Sequence, residues 1–217
     1  MSRSLCLYDN AGEHFRPGAD AADMPMTRHL AASKGLMYTF DPTTDRRVRR
    51  RLGNMSSVGM AADRQDVVLL EAANRIREHA GLAQTSRMSQ TLVVVLTKFD
   101  VWQSLVPGLQ DTNPWRPLPG SRTDALHWDQ VEAISAACRD FLWESCREIV
   151  TAAESISENV VYTPVAAVGW NVTVDPGTGV TSFIGANCEP YGVLVPLIGL
   201  LGKSIPKLVP SLRRTAS

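Results

Sequence analysis

The chain has 217 residues, 44% of them hydrophobic and 20% charged, a length and balance that suit one large domain with a buried core. Its 22 basic and 22 acidic side chains cancel to a formal net charge of zero, which excludes a global field for collecting nucleic acid. Cys6, Cys138, Cys146 and Cys188 form no C-x-x-C pair, and a chain of this size needs no disulfide scaffold, so they are read as reduced thiols of a cytoplasmic protein.

The first apolar run is "SLCLY" at 4–8. No basic stretch precedes it and it is far too short to cross a bilayer, so it is read as a strand, leading into Asp9, Asn10, Ala11 and Gly12. The second run, "LMYTF" at 36–40, continues into "DPTTD" and then "DRRVRRRL". In the latter, Arg46, Arg47, Arg49, Arg50 and Arg51 have no aromatic residues between them, so a solvated helix face is favoured over an RNA-binding one. Helical spacing then runs from about Asp63 to His79 and stops at Gly81, a C-cap by residue type. The third run is "TLVVVL" at 91–96, followed by a Pro- and Gly-rich loop from Trp102 to Thr123. Val131, Ile134, Cys138, Phe141, Leu142, Ser145, Ile149 and Val150 recur every third or fourth place and predict one helix over Asp129 to Ala153. The fourth run is "VVYTPVAAV" at 160–168; Trp170 to Phe183 then reads as a hairpin around Asp175-Pro176-Gly177. Finally "YGVLVPLIGLLG" (Tyr191 to Gly202) carries Pro196 and is too short to span a membrane. With Lys203, Lys207, Arg213 and Arg214 it is read as a closing helix on the sheet with a frayed basic tail, in preference to a segment lying on an anionic membrane.

Continuous apolar runs are expected of strands covered on both faces, and their alternation with helices predicts an α/β fold with a doubly wound, mostly parallel sheet. Ligands in such sheets bind beyond the carboxyl ends of the strands, which directs attention to the residues that follow each run. The division expected is a domain over 1–169 and a C-terminal hairpin, apolar helix and basic tail over 170–217.

After the third run stands Thr97-Lys98-Phe99-Asp100. A carboxylate at a strand end accepts two hydrogen bonds from the N1 and amino hydrogens of guanine, a pair of donors adenine lacks, and the lysine stem can lie along the base. The four residues resemble the [N/T]-K-x-D motif of Ras-like P-loop small GTPases; a Lys-x-Asp surface turn is the alternative. The opening "YDNAGEHF" resembles the D-T-A-G-Q-E-R-F segment of Ras and Rab proteins, in which the Asp holds magnesium through water and the Gly amide meets the γ-phosphate. Carried over, those roles fall on Asp9 and Gly12; a β-turn about Asn10 and Gly12 is the alternative. "LMYTFDPTTD" is similar to the V-Y-D-x-T strand end of the family, and Pro164 to Gly169 to its S-A-x motif, with Ala166 and Ala167 at the turn whose amide touches the guanine oxygen.

The resemblance implies a Ras-like sheet that binds guanine nucleotide with Mg2+ and GTP. The implied nucleotide-binding residues are Asp9, Gly12, Thr97, Lys98, Asp100, Ala166 and Ala167, with Asp9 on the metal side. Where the family has a water-orienting Gln, this chain has Glu13, whose charge opposes a phosphate; His14 is the next candidate for that role. The family's phosphate cradle, G-x-x-x-x-G-K-[ST], is not found: only Met1 to Ser4 precede the opening stretch, and "GNMSSVGMA" at 53–61 has neither the spacing nor the lysine. The expectation is therefore a GTPase-like domain lacking its first strand and cradle, with hydrolysis only if the cradle is supplied. The rival is a non-catalytic module that contacts a protein partner or a missing N-terminal segment. His14, His29, His79 and His127 show no zinc spacing, and no G-x-S-x-G elbow is present.

Overall fold

The computed structural model describes residues 5–10, 15, 24–53, 65–170, 172–174, 181–183, 188–205 and 208–212. Three of the four apolar runs become one parallel sheet, β1 (Gly35–Phe40), β2 (Thr91–Leu96) and β5 (Val160–Pro164), in the order β1-β2-β5. The middle strand β2 is buried at all six positions, which is why it reads as an unbroken apolar run.

Side chains alternate across the sheet and so address two layers. Leu92, Val94 and Leu96 belong to the larger core, with Leu69 and Ile76 of α3 (Gln65–Ala80), Ile134, Cys138, Phe141 and Leu142 of α5 (Trp128–Ser145), and Ile149 and Ala153 of α6 (Arg147–Ile156). Val93 and Val95 face a smaller cluster with Val161, Leu126, Trp128 and Leu200 of α7 (Val195–Ser204). Gly35 lies close beneath α7: a Cβ there would meet the Leu200 side chain, which would have to shift to make room. The closing helix read at the C-terminal end thus packs on the sheet; residues 213–217 lie outside the described set.

Helix α3 ends as its sequence indicates. Gly81 has φ +64°, and the Leu82 amide donates to the Arg77 carbonyl at 2.8 Å. The buried Arg77 guanidinium ties this end of the helix to neighbouring loops, donating to the carbonyls of Ser86 and Ser155 at 2.9 and 3.0 Å.

Two expectations are corrected. The run "SLCLY" is no strand in its described part: Leu5–Asn10 is irregular, and Leu5, Leu7 and Tyr8 are 55%, 62% and 63% exposed. Among the described residues no strand pairs with it to take its backbone groups, and an apolar run without a ladder partner has nothing to make it a strand. The single helix expected over 129–153 is two, α5 and α6, separated at Cys146 with φ −140° and ψ 51°. Neither Gly nor Pro marks the break. It redirects the chain so that α6 packs on α3, while the Cys146 thiol meets the Asp45 carboxyl.

The long Pro/Gly loop holds more structure than its composition suggests. Helix α4 (Phe99–Trp102) ends on its first residue, and within the loop lies β3 (Trp115–Pro117), paired antiparallel with β4 (Asp124–His127), which follows the loop. Strand β4 also pairs with β8 (Ser211–Leu212). The hairpin expected over 170–183 is present as β6 (Val172–Val174) and β7 (Thr181–Phe183), antiparallel, with its tip outside the described residues. The remaining helices are α1 (Met24–Ala32), packed on α3, and the arginine-rich α2 (Arg46–Arg51). Among the described residues no helix is long and apolar enough to cross a membrane.

Candidate functional site

The loops leaving the three sheet strands are stitched to one another. The Thr97 amide and hydroxyl donate to the Phe40 carbonyl at 2.9 and 3.3 Å, joining the end of β2 to the end of β1. On the other side the Val165 amide donates to the Leu96 carbonyl at 2.8 Å, and the Phe99 amide to the Val165 carbonyl at 3.1 Å. Thr97, Lys98 and Asp100 therefore stand directly beside the turn that carries Ala166 and Ala167.

Backbone strain is concentrated here. Lys98 has φ 55° and ψ 40°, the left-handed region, and among the described residues it is the one non-glycine residue with positive φ. Such a conformation costs about 1–3 kcal/mol and persists only when its surroundings hold it. What holds it is an aromatic cluster beneath. The Phe99 ring packs at centroid distances of 4.7 Å from Trp102, 5.7 Å from Trp170 and 5.1 Å from Tyr191. Trp102 stacks on Phe141 at 4.7 Å, and its indole donates to the Thr97 carbonyl at 2.8 Å.

The turn after β5 is fixed from the C-terminal side. Ala166 and Tyr191 exchange backbone hydrogen bonds, Ala166 N–H to Tyr191 carbonyl at 3.0 Å and the reverse at 2.9 Å. The close approach requires glycine at 192, with φ +69°, where a Cβ would strike the Pro164 carbonyl. The Ala166 amide is thereby engaged and its side chain buried, while Ala167 is exposed. Of the two alanines, Ala167 is the one presented to solvent.

The charges are also ordered. The Lys98 ammonium meets Asp41 Oδ2 at 2.7 Å, with side-chain exposures of 59% and 18%. Asp41 Oδ1 accepts from the Thr43 amide at 2.9 Å and the Thr43 hydroxyl at 2.6 Å, capping the short turn Pro42–Thr44. Asp100 is half-buried and its carboxyl titrates above the ordinary range: burial is the main cause, opposed by its own backbone hydrogen bond and by Lys98, and Asp41 pushes the same way as burial. Asp41 was not singled out from the sequence; the signal was its place in "YTFDPT", immediately after the last residue of β1.

The phosphate side of the predicted site is a different matter. Asp9 is exposed in an irregular segment whose neighbours lean on α1: the Tyr8 ring stacks on His29 at 4.3 Å, and the Asn10 amide meets His29 Nε2 at 3.2 Å. Gly12, Glu13 and His14 lie outside the described residues. Among the described residues no three His, Cys, Asp or Glu side chains are grouped to hold a metal.

Away from the strand ends, an open apolar groove of about 600 Å³ is lined by Leu5, Trp115, Leu194, Ile198, Leu201 and Leu208, among others. The arginines of α2 are partly spoken for: Arg47 pairs with Asp45 and Glu148 at 2.9 and 2.8 Å, and Arg51 donates to Ser145 at 2.5 Å. No disulfide joins Cys6, Cys138, Cys146 and Cys188. Compared with known proteins, the chain matches no family model, no curated protein and no solved structure.

Proposed function

We propose that the chain is a GTPase-like domain whose strand-end loops bind the base of a guanine nucleotide. The observation that carries this reading is the adjacency of Thr97-Lys98-Phe99-Asp100, after the central strand, to the exposed Ala167 turn, after its neighbour, joined by the hydrogen bond from Phe99 N–H to the Val165 carbonyl at 3.1 Å. In this reading the Asp100 carboxylate accepts the N1 and amino hydrogens of guanine, the Lys98 stem lies along the base, and the Ala167 amide meets the guanine oxygen. A carboxylate at a strand end beyond the sheet is the arrangement expected of a ligand crevice in an open α/β sheet. Hydrolysis is proposed only where a G-x-x-x-x-G-K-[ST] loop is supplied, since the sequence holds none. Glu13 is the candidate for positioning water in that case. Four cysteines outside any disulfide suit a reducing compartment, and the cytoplasm is the one proposed.

The test is Asp100→Asn, titrated with GDP and XDP in parallel with the unaltered chain and followed by amide chemical shifts. A carboxylate-to-amide change exchanges an acceptor for a donor, so the preference should move from guanosine toward xanthosine by about ten- to a hundredfold. An unchanged preference would sink the base-recognition assignment.

A second reading, a non-catalytic interaction module, is favoured by the outer edge of β1, which has no strand partner among the described residues, and by the apolar groove beside α7. It predicts stable folding without nucleotide and no discrimination between GTP and ATP in a fluorescence titration.

A further inference from the structure

The Lys98–Asp41 pair has a consequence for the base site, and the inference drawn from it rests on the guanine reading above. Lys98 stands between two carboxylates. Asp100, two residues on, is close enough for the lysine charge to pull its pKa down, and Asp41 is in direct contact. A lysine free to choose would be drawn to Asp100 and would occupy the acceptor oxygens that guanine needs. It does not, because Asp41 is the better-built partner. One of its oxygens is fixed by the amide and hydroxyl of Thr43, at 2.9 and 2.6 Å, which leaves the other aimed at the ammonium at 2.7 Å.

We propose that Asp41 is a positioning residue for base recognition: it anchors the Lys98 ammonium at the end of the neighbouring strand, which keeps the lysine off Asp100 and holds its stem in place. Both ends of the side chain are then fixed, the backbone in its left-handed conformation and the head on Asp41, while 59% of the side-chain surface stays open to a ligand. The local charge follows from the same pairing. Asp41 and Lys98 neutralise each other, and among the described residues Asp100 is left as a carboxylate without a direct ionic partner, suited to a base edge that offers two donors. The ligand class selected is a neutral base with adjacent N–H donors, as in guanine.

The experiment is Asp41→Asn in the full chain, with guanosine as the probe. Asn caps a turn about as well as Asp, so the turn over Pro42–Thr44 is kept and a thermal melt controls for folding. Loss of the anchor should weaken guanosine binding about tenfold, the size of one charge-assisted hydrogen bond. It should also move the pH midpoint of binding toward acid, because Lys98 shifts onto Asp100 and Asp41 no longer opposes its ionisation. In a Lys98→Met background, Asp41→Asn should have no further effect on affinity. A nucleotide-free measurement separates the two claims: in an Asp100→Asn background, where the ammonium has no second carboxylate to move onto, Lys98 should be slow to react with an amine-modifying reagent and faster once Asp41→Asn is added. Equal reactivity, or faster reactivity with unchanged guanosine affinity, overturns the role given to Asp41 while leaving the guanine reading standing. An unaltered chain that binds guanosine no better than adenosine overturns that reading and the inference with it.

Discussion

The two edges of the sheet are treated differently. At the β5 edge, helix α5 lies along the strand, and the Ser135 hydroxyl accepts a hydrogen bond from the Tyr162 backbone amide at 2.9 Å. A helix side chain there replaces a neighbouring strand. At the β1 edge no strand pairs among the described residues, Met37 is 44% exposed and Thr39 is also exposed. An unpaired strand edge is a template for another chain, and proteins generally cover or blunt it. The candidate base site lies at the strand ends, where the β2 and β5 loops are hydrogen-bonded together. The contrast places the candidate site's β2 and β5 loops on the closed side of the sheet and leaves β1 as the open edge among the described residues.

The largest effect expected is on α5, the helix along the β5 edge. Phe141 is 3% exposed and stacks on Trp102, so Phe141→Ala should cost about 3–5 kcal/mol in urea unfolding and loosen the Lys98 loop through Trp102. A loss below about 1 kcal/mol would mean that α5 is not what closes this edge. Ser135→Ala is a finer cut. It strands the Tyr162 amide without its acceptor, for a cost of about 1–3 kcal/mol, and should speed hydrogen exchange at that amide. The outward amides of β1 should exchange faster than that of Tyr162 in the unaltered chain; equal protection would reveal a cover on the β1 edge and break the comparison.

The smallest effect belongs to the clamp between α2 and α6. Arg47 bridges Asp45 and Glu148 at the surface, and Arg47→Ala should cost no more than about 1 kcal/mol near neutral pH. Its sign with pH is defined. Glu148 titrates below the ordinary range because Arg47 hydrogen-bonds it; burial pushes Asp45 upward, but hydrogen bonds from Arg47 outweigh that and hold it low as well. Carboxylates lowered in the folded state contribute stability above their unfolded pKa and lose it as pH falls through the folded value. The difference in melting temperature between Arg47→Ala and the unaltered chain should therefore shrink in acid, and one that grows would exclude the clamp.

The central strand was legible because a strand buried on both faces reads as a continuous apolar run, and β2 is buried at all six positions and apolar from Leu92 to Leu96; β1, with Met37 and Thr39 exposed, was legible from its apolar run alone. The same rule misled at Leu5 to Tyr8: an apolar run records a tendency, but a strand also needs a partner for its backbone, and pairing is not written in the run itself. The break at Cys146 was invisible for a related reason. Both halves share one helical period, and only the packing of α6 on α3 turns the chain. Lys98 and Asp100 were found from their place after a strand. Asp41, which reaches Lys98 from another strand end, and the Phe99, Trp102, Trp170 and Tyr191 rings beneath the loop come from segments far apart in sequence.

What the sequence by itself determined is what depends on neighbours along the chain: the strand periods, the glycine stop of α3, and the chemistry available after "TLVVVL". The tertiary structure decided which edge is closed, which carboxylate the Lys98 ammonium takes, and which alanine of the turn faces solvent. Those outcomes depend on distances between segments, and a hydrogen bond or an ion pair between strand ends exists only once the sheet has brought them within reach.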